Sequence, residues 1–119
     1  MAKIKARETD SLEVQKLIEL HIKLNHGGEH WIKGALRRFI TGKGNCWCLA
    51  GGVRSVARTE SLRKELFSRL YEQLPSRFKK AAYHAEGACI RFNDNDVTKW
   101  PDVENVIIAA IEDGRRNNG

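Results

Sequence analysis

Asn45-Cys46-Trp47-Cys48-Leu49-Ala50-Gly51-Gly52-Val53-Arg54-Ser55-Val56-Ala57-Arg58 is the most apolar stretch in the middle of the chain, and its reading decides the fold. Set at 100° per residue, Cys46, Leu49, Ala50, Val53, Val56 and Ala57 fall in one arc, which predicts an amphipathic helix over residues 45–58. The apolar side chains are small, so neighbouring helices can approach closely. This segment is expected to be the central helix of an all-α domain, a compact bundle of roughly five or six short helices. On its opposite side Trp47, Arg54 and Arg58 project in one direction, at i, i+7 and i+11.

Upstream, Asp10 and Glu13 have capping-box spacing. Val14, Leu17, Ile18, Ile22 and Leu24 then give the apolar stripe of a helix over 10–24. His21 lies within that stripe, where a neutral core histidine with one bonded nitrogen is expected; a ligand or acid–base role is the alternative. Asn25-His26-Gly27-Gly28 ends this helix. A second helix over 29–40 turns Trp31, Ala35, Leu36, Phe39 and Ile40 inward, and Gly42-Lys43-Gly44 closes it.

Downstream, Thr59 or Ser61 caps a helix over 60–73 that carries Leu62, Leu66, Phe67, Leu70 and Tyr71, and Pro75 ends it. Ser76 caps a further helix reaching Tyr83 and Ala85. Gly87 breaks the pattern. Residues 88–92 then read as a helical turn or an extended connector, and Asn93-Asp94-Asn95-Asp96 as a polar turn. Pro101, with Asp102 and Glu104 behind it, opens the last helix. Val103, Val106, Ile107, Ala110 and Ile111 form its buried face. Gly114 stops it, leaving a single helical domain over 1–114 and a frayed tail over 115–119.

The chain of 119 residues is long enough to bury a core without disulfides or a metal. Its 21 basic residues against 15 acidic ones give a net charge of +6 and favour a polyanionic partner, nucleic acid or an acidic protein. No apolar run approaches the roughly 20 residues of a membrane span, so no membrane partner is expected. The basic Met1–Arg7 segment has no apolar run after it, so a secretory signal is not expected either. Three cysteines are an odd number, which predicts reduced thiols and a cytoplasmic location.

Several constellations bear on chemistry. His26-Gly27-Gly28-Glu29-His30 has the H-x-x-E-H spacing of a class of zinc peptidase, but adjacent glycines oppose the continuous helix that would bring both imidazoles to one metal. Cys46 and Cys48 on a helix point about 200° apart, one inward and one outward, and cannot share an ion. A zinc site from Cys46 or Cys48 with Cys89 and a histidine is the alternative. A thiol nucleophile at Cys48 needs His21, His26, His30 or His84 as its base. Asp94-Asn95-Asp96 fails as a calcium loop, since Lys99 stands where glycine is required and Asn105 where glutamate is required. No metal or cofactor is expected.

The basic residues carry the leading functional expectation. An indole beside guanidinium groups suits phosphate and a stacked base. Trp47, Arg54 and Arg58, preceded by Arg37, Arg38 and Lys43, therefore mark a binding surface. Glu60–Lys64 and Glu65–Arg69 pairs at i,i+4 neutralise part of the charge that follows.

Two pieces carry a resemblance. Cys48-Leu49-Ala50-Gly51-Gly52 is similar to a C-L-x-G-A/G segment, and Phe92-Asn93-Asp94 is followed by Thr98 and Asp102-Val103, with Trp31 and Gly34 upstream. Together they resemble a family of small, mostly helical bacterial and phage proteins catalogued as a domain of unknown function. This chain has Gly52 where that family more often has alanine, and Phe92 where tryptophan often precedes Asn-Asp. The resemblance implies no activity. It does imply that Asn93, Asp94 and the Cys48–Gly52 turn are set by something beyond helix propensity.

The expectation is a small non-enzymatic binding protein whose basic surface contacts nucleic acid or an acidic protein. One alternative is a metal- or thiol-dependent enzyme using the cysteines, the histidines and Asp94. Another is a self-associating structural protein, a homo-oligomer anchored by Trp47, Trp100 and Tyr71.

Overall fold

The computed structural model describes residues 4–24, 28–79 and 84–118. They form five α-helices and one two-stranded antiparallel sheet: α1 (Leu12–Leu24), β1 (Arg37–Ile40), β2 (Gly44–Trp47), α2 (Leu49–Val56), α3 (Glu60–Glu72), α4 (Ala85–Asp94) and α5 (Trp100–Asn118). A single 3-10 turn, Ser76–Phe78, follows α3. The domain is mostly, not purely, α-helical.

The expected helix over 45–58 is two elements joined at Cys48. Residues 44–47 are the second strand of a hairpin, and only 49–56 coil. Gly42 and Gly44 adopt φ of 88° and 85°, which turns the chain back at Thr41–Lys43. The Trp47 backbone is then claimed from outside: its N–H donates to the His30 carbonyl at 2.8 Å and its carbonyl accepts from Ile32 N–H at 3.0 Å. These nonlocal bonds override the helical periodicity, in which Cys46 shares an arc with Leu49 and Ala50 by coincidence of spacing. Both Cys46 and Cys48 are buried, so the inward–outward assignment fails with the helix.

The helix expected over 29–40 is likewise absent: residues 29–36 form a turn, an isolated bridge from Trp31 to Trp47 and a bend, and residues 37–40 are β1. Leu36 and Phe39 are therefore exposed instead of inward. Gly42-Lys43-Gly44 is the hairpin turn, not a helix end.

The shortened α2 keeps its central position and packs against α1, α3 and α4, while α5 lies along α1 and α3. Leu49, Ala50, Val53 and Val56 of α2 join Leu17, Leu20 and Leu24 of α1, Leu66 and Leu70 of α3, and Val103, Ile107 and Ile111 of α5 in one core. Ile22 of α1, read as part of the buried stripe, is 54% exposed. His21 is a buried core residue whose Nε2 lies 2.9 Å from Glu104 Oε2 across the α1–α5 seam.

Several ends differ from expectation. Ser11 Oγ accepts from Val14 N–H at 3.3 Å and caps α1, while Asp10 turns away to Arg7 N–H and Arg115. Thr59 caps α3 through Leu62 N–H, as its position suggests. Gly87 lies in the first turn of α4, a helix that includes 88–92 and ends with Asn93 and Asp94. His84 Nδ1 accepts the Gly87 N–H at its start. The helix expected from Ser76 to Ala85 is a 3-10 turn at its beginning, and residues 80–83 lie outside the described residues. Gly114 does not stop α5, which continues to Asn118; it lets α5 approach α1, where a methyl at that position would come within 2.7 Å of Val14 Cγ2. Arg115, assigned to a frayed tail, is bound to Asp10.

Candidate functional site

Asn93 organises the end of the molecule that carries the hairpin. Its Oδ1 accepts from Trp31 Nε1 at 2.6 Å and from the Leu49 backbone N–H at 2.9 Å. Its Nδ2 donates to the Ile32 carbonyl at 3.0 Å and to Asp94 Oδ1 at 2.9 Å. An amide side chain has two acceptor sites and two donor hydrogens, so this fully buried group is completely satisfied. Asp94 Oδ1 also takes the Gly34 N–H at 2.9 Å. The C-terminus of α4 thus clasps the 31–34 loop to the first turn of α2 and supplies a partner for a helix N–H that has none within its own helix.

Glycine completes the clasp. A methyl on Gly51 would run into the carbonyl oxygen of Leu36, which accepts from Cys48 N–H. The loop backbone therefore lies directly on α2. Trp31, Gly34, Cys48, Gly51, Asn93 and Asp94, singled out in the sequence by resemblance, thus meet in one structural feature.

The hairpin projects from this base. Arg37 pairs with Trp47 and Phe39 with Asn45, so these four share one face; Arg38 and Ile40 share the other with Cys46 and Gly44. Phe39 is 70% exposed. Trp47 is half-buried, with the Lys23 Nζ 4.8 Å from its ring centroid. Arg37, Arg38 and Lys43 are exposed, and their side chains form no hydrogen bond or ion pair among the described residues. The exposed part of this ribbon thus carries Arg37, Arg38, Phe39 and Lys43, while Cys46 and Trp47 at its base are covered or half-covered.

The other expected binding residues lie differently. The break at Cys48 removes the common helical face of Trp47, Arg54 and Arg58. Arg54 is committed to Glu86 of α4 through two hydrogen bonds, Nε to Oε2 at 2.6 Å and a terminal nitrogen to Oε1 at 2.8 Å. Arg58 is exposed just beyond α2. Trp100, read as an interface anchor, is 7% exposed and belongs to the core, and Tyr71 packs partly buried against it.

A cleft of about 370 Å³ beside the clasp gathers Cys48, Arg54, His84, Glu86 and Asp94. These are the residue types of a thiol enzyme, but each is occupied in holding the fold. Cys48 Sγ accepts the Gly51 N–H at 3.3 Å and caps α2. His84 caps α4, Asp94 holds Gly34, and Arg54 and Glu86 hold each other. Burial pushes the Cys48 thiol above its ordinary range against the opposing pull of the Gly51 and Ala50 N–H groups, the reverse of an activated nucleophile. Burial likewise pushes the Cys89 thiol up to about 12.

The zinc-peptidase motif is only partly visible, because His26 lies outside the described residues. His30 Nδ1 is 3.2 Å from the Asn45 carbonyl and 4.0 Å from Cys46 Sγ. Among the described residues no group of three or more His, Cys, Asp or Glu side chains is arranged to hold a metal ion.

Phe39 and Lys23 are the residues that sequence reasoning missed. The signal available was the Gly42-Lys43-Gly44 turn after Arg-Arg-Phe-Ile, which fits a short glycine-containing hairpin loop. What fold and surface define is a mostly helical domain with one basic, aromatic-bearing hairpin held on an asparagine clasp. Compared with models of known families, with curated proteins and with solved structures, the chain gives no match.

Proposed function

We propose that this protein is a non-enzymatic nucleic-acid-binding domain whose contact surface is the β1–β2 hairpin. The observation that carries the reading is the unpaired, exposed set of Arg37, Arg38 and Lys43 around an aromatic left in solvent, Phe39. Free cations bind phosphate at no cost in broken internal ion pairs, and an exposed ring suits a base better than it suits water. The net charge of +6 adds long-range attraction. Trp47 contributes as the half-buried floor beneath Lys23, and Arg58 as a peripheral cation. Arg54, engaged with Glu86, is left out of the contact set.

We also infer a cytoplasmic setting, supported by three free, buried cysteines. No helix among the described residues is long and apolar enough to cross a membrane. We further propose kinship with the helical family that the sequence resembles; the meeting of Trp31, Gly34, Cys48, Gly51, Asn93 and Asp94 in one clasp supports it.

Fluorescence anisotropy with labelled mixed-sequence DNA and RNA, read between about 50 and 200 mM salt, tests the function. Binding should weaken steeply with salt. Arg37→Ala/Arg38→Ala should lower affinity about tenfold and reduce the slope of log K against log salt by about 1.5, as two lost phosphate contacts require. No binding at about 50 mM salt, or unchanged binding by the double variant, contradicts the proposal. Equal binding of polyglutamate would instead support an acidic protein as partner.

A further inference from the structure

We propose, resting on the nucleic-acid reading, that the hairpin takes single-stranded in preference to duplex nucleic acid, by stacking an unpaired base on Phe39. The contrast among the phenylalanines points to this residue. Phe67, Phe78 and Phe92 are 5%, 6% and 2% exposed, whereas Phe39 is 70% exposed within strand β1. Strand geometry fixes where its neighbours stand. Asn45, the ladder partner of Phe39, is exposed on the same face, so its amide is available to polar groups on a base stacked there. Arg37 lies two positions along the same strand, about 7 Å away on the same face. Across the ladder from Arg37, Trp47 carries Lys23 over its ring, so one side of the aromatic floor already has a cation in place.

This order, amide and ring then guanidinium and ammonium, matches a base followed by its flanking phosphates. A duplex cannot use it. Its base faces are hidden in the stack, and its grooves offer edges, methyl groups and phosphates, none of which repays an exposed phenyl ring as a stacked base does. A single strand offers the whole face of each base without sequence discrimination. The cations would still draw a duplex to the hairpin, but through phosphate alone.

The test compares a labelled mixed-sequence strand of about 12 nucleotides, free and annealed to its complement, by anisotropy with the full chain at low salt. The free strand should bind about tenfold more tightly than the duplex. Phe39→Ala should lose about tenfold for the free strand, with the salt slope kept and duplex affinity unchanged, and Phe39→Trp should restore it. Circular dichroism confirms that both variants stay folded, as an exposed side chain allows. Equal affinity for the two forms, or a Phe39→Ala variant that binds the free strand unchanged, overturns the single-strand preference while the salt-dependent phosphate reading stands. Binding of neither form overturns both.

Discussion

Asn93 spends all four of its hydrogen-bonding sites on four different partners, and the two glycines of α2 show how closely that helix is pressed by its neighbours. Their surroundings differ in one respect that decides the effect of a methyl group. Gly51 faces the backbone carbonyl of Leu36, which the Cys48 N–H and the Gly34–Asp94 bond hold in place. Gly52 faces the far end of a side chain, with Leu20 Cδ1 2.6 Å from the methyl position. Alanine in a helix gains about 1 kcal/mol over glycine at either position. Gly51→Ala should nevertheless destabilise by about 3 kcal/mol or more, because backbone has to move. Gly52→Ala should stay within about 1 kcal/mol of the parent, since Leu20 can rotate and the helix gains. Urea denaturation of the two variants checks the contrast, and equal losses would contradict the close backbone approach at Gly51.

At the scale of elements, the N-terminal arm is bound to the last helix by a carboxylate–guanidinium pair. Arg115 donates to both Asp10 oxygens, at 2.9 and 3.0 Å, and also to the Lys5 carbonyl. The Arg115 guanidinium holds the Asp10 carboxyl below its ordinary value of 3.8, aided by the Arg7 N–H and opposed by burial. A carboxylate depressed in the folded state stabilises fully above its unfolded pKa and loses that contribution as pH falls through its folded one. The stability difference between the parent and Asp10→Asn should therefore be constant at neutral pH and shrink below about pH 4. Denaturant titrations from pH 7 to pH 2 measure it; a difference that persists undiminished at pH 2 would contradict the ion pair as its source. The helices α1, α3 and α5 were legible because their signals are local: apolar spacing, Thr59 at a cap, Pro101 in a first turn. The hairpin was not, because each strand has four residues and its anchoring bonds come from His30 and Ile32, distant in the chain. Phe39 was misread for the same reason. A residue at a helical core spacing becomes solvent-facing once register, not periodicity, sets its direction.

At the scale of the whole molecule, charge and chemistry divide. The cleft at Cys48 holds the residue types usually associated with catalysis, yet its side chains are taken up in caps, the clasp and the Arg54–Glu86 pair. The hairpin, with fewer such residues, keeps its cations free. Arg37, Arg38 and Trp47 were legible as basic and aromatic residues near one another in sequence; their separation from Arg54 was not, since it depends on the chain changing from strand to helix at Cys48. An amide-resolved NMR titration with a short single strand decides between the two surfaces. Chemical-shift changes concentrated in Arg37–Trp47 and at Lys23, with the residues around Cys48, His84 and Glu86 unmoved, are the predicted result. Changes centred on the cleft, or none anywhere, would contradict it.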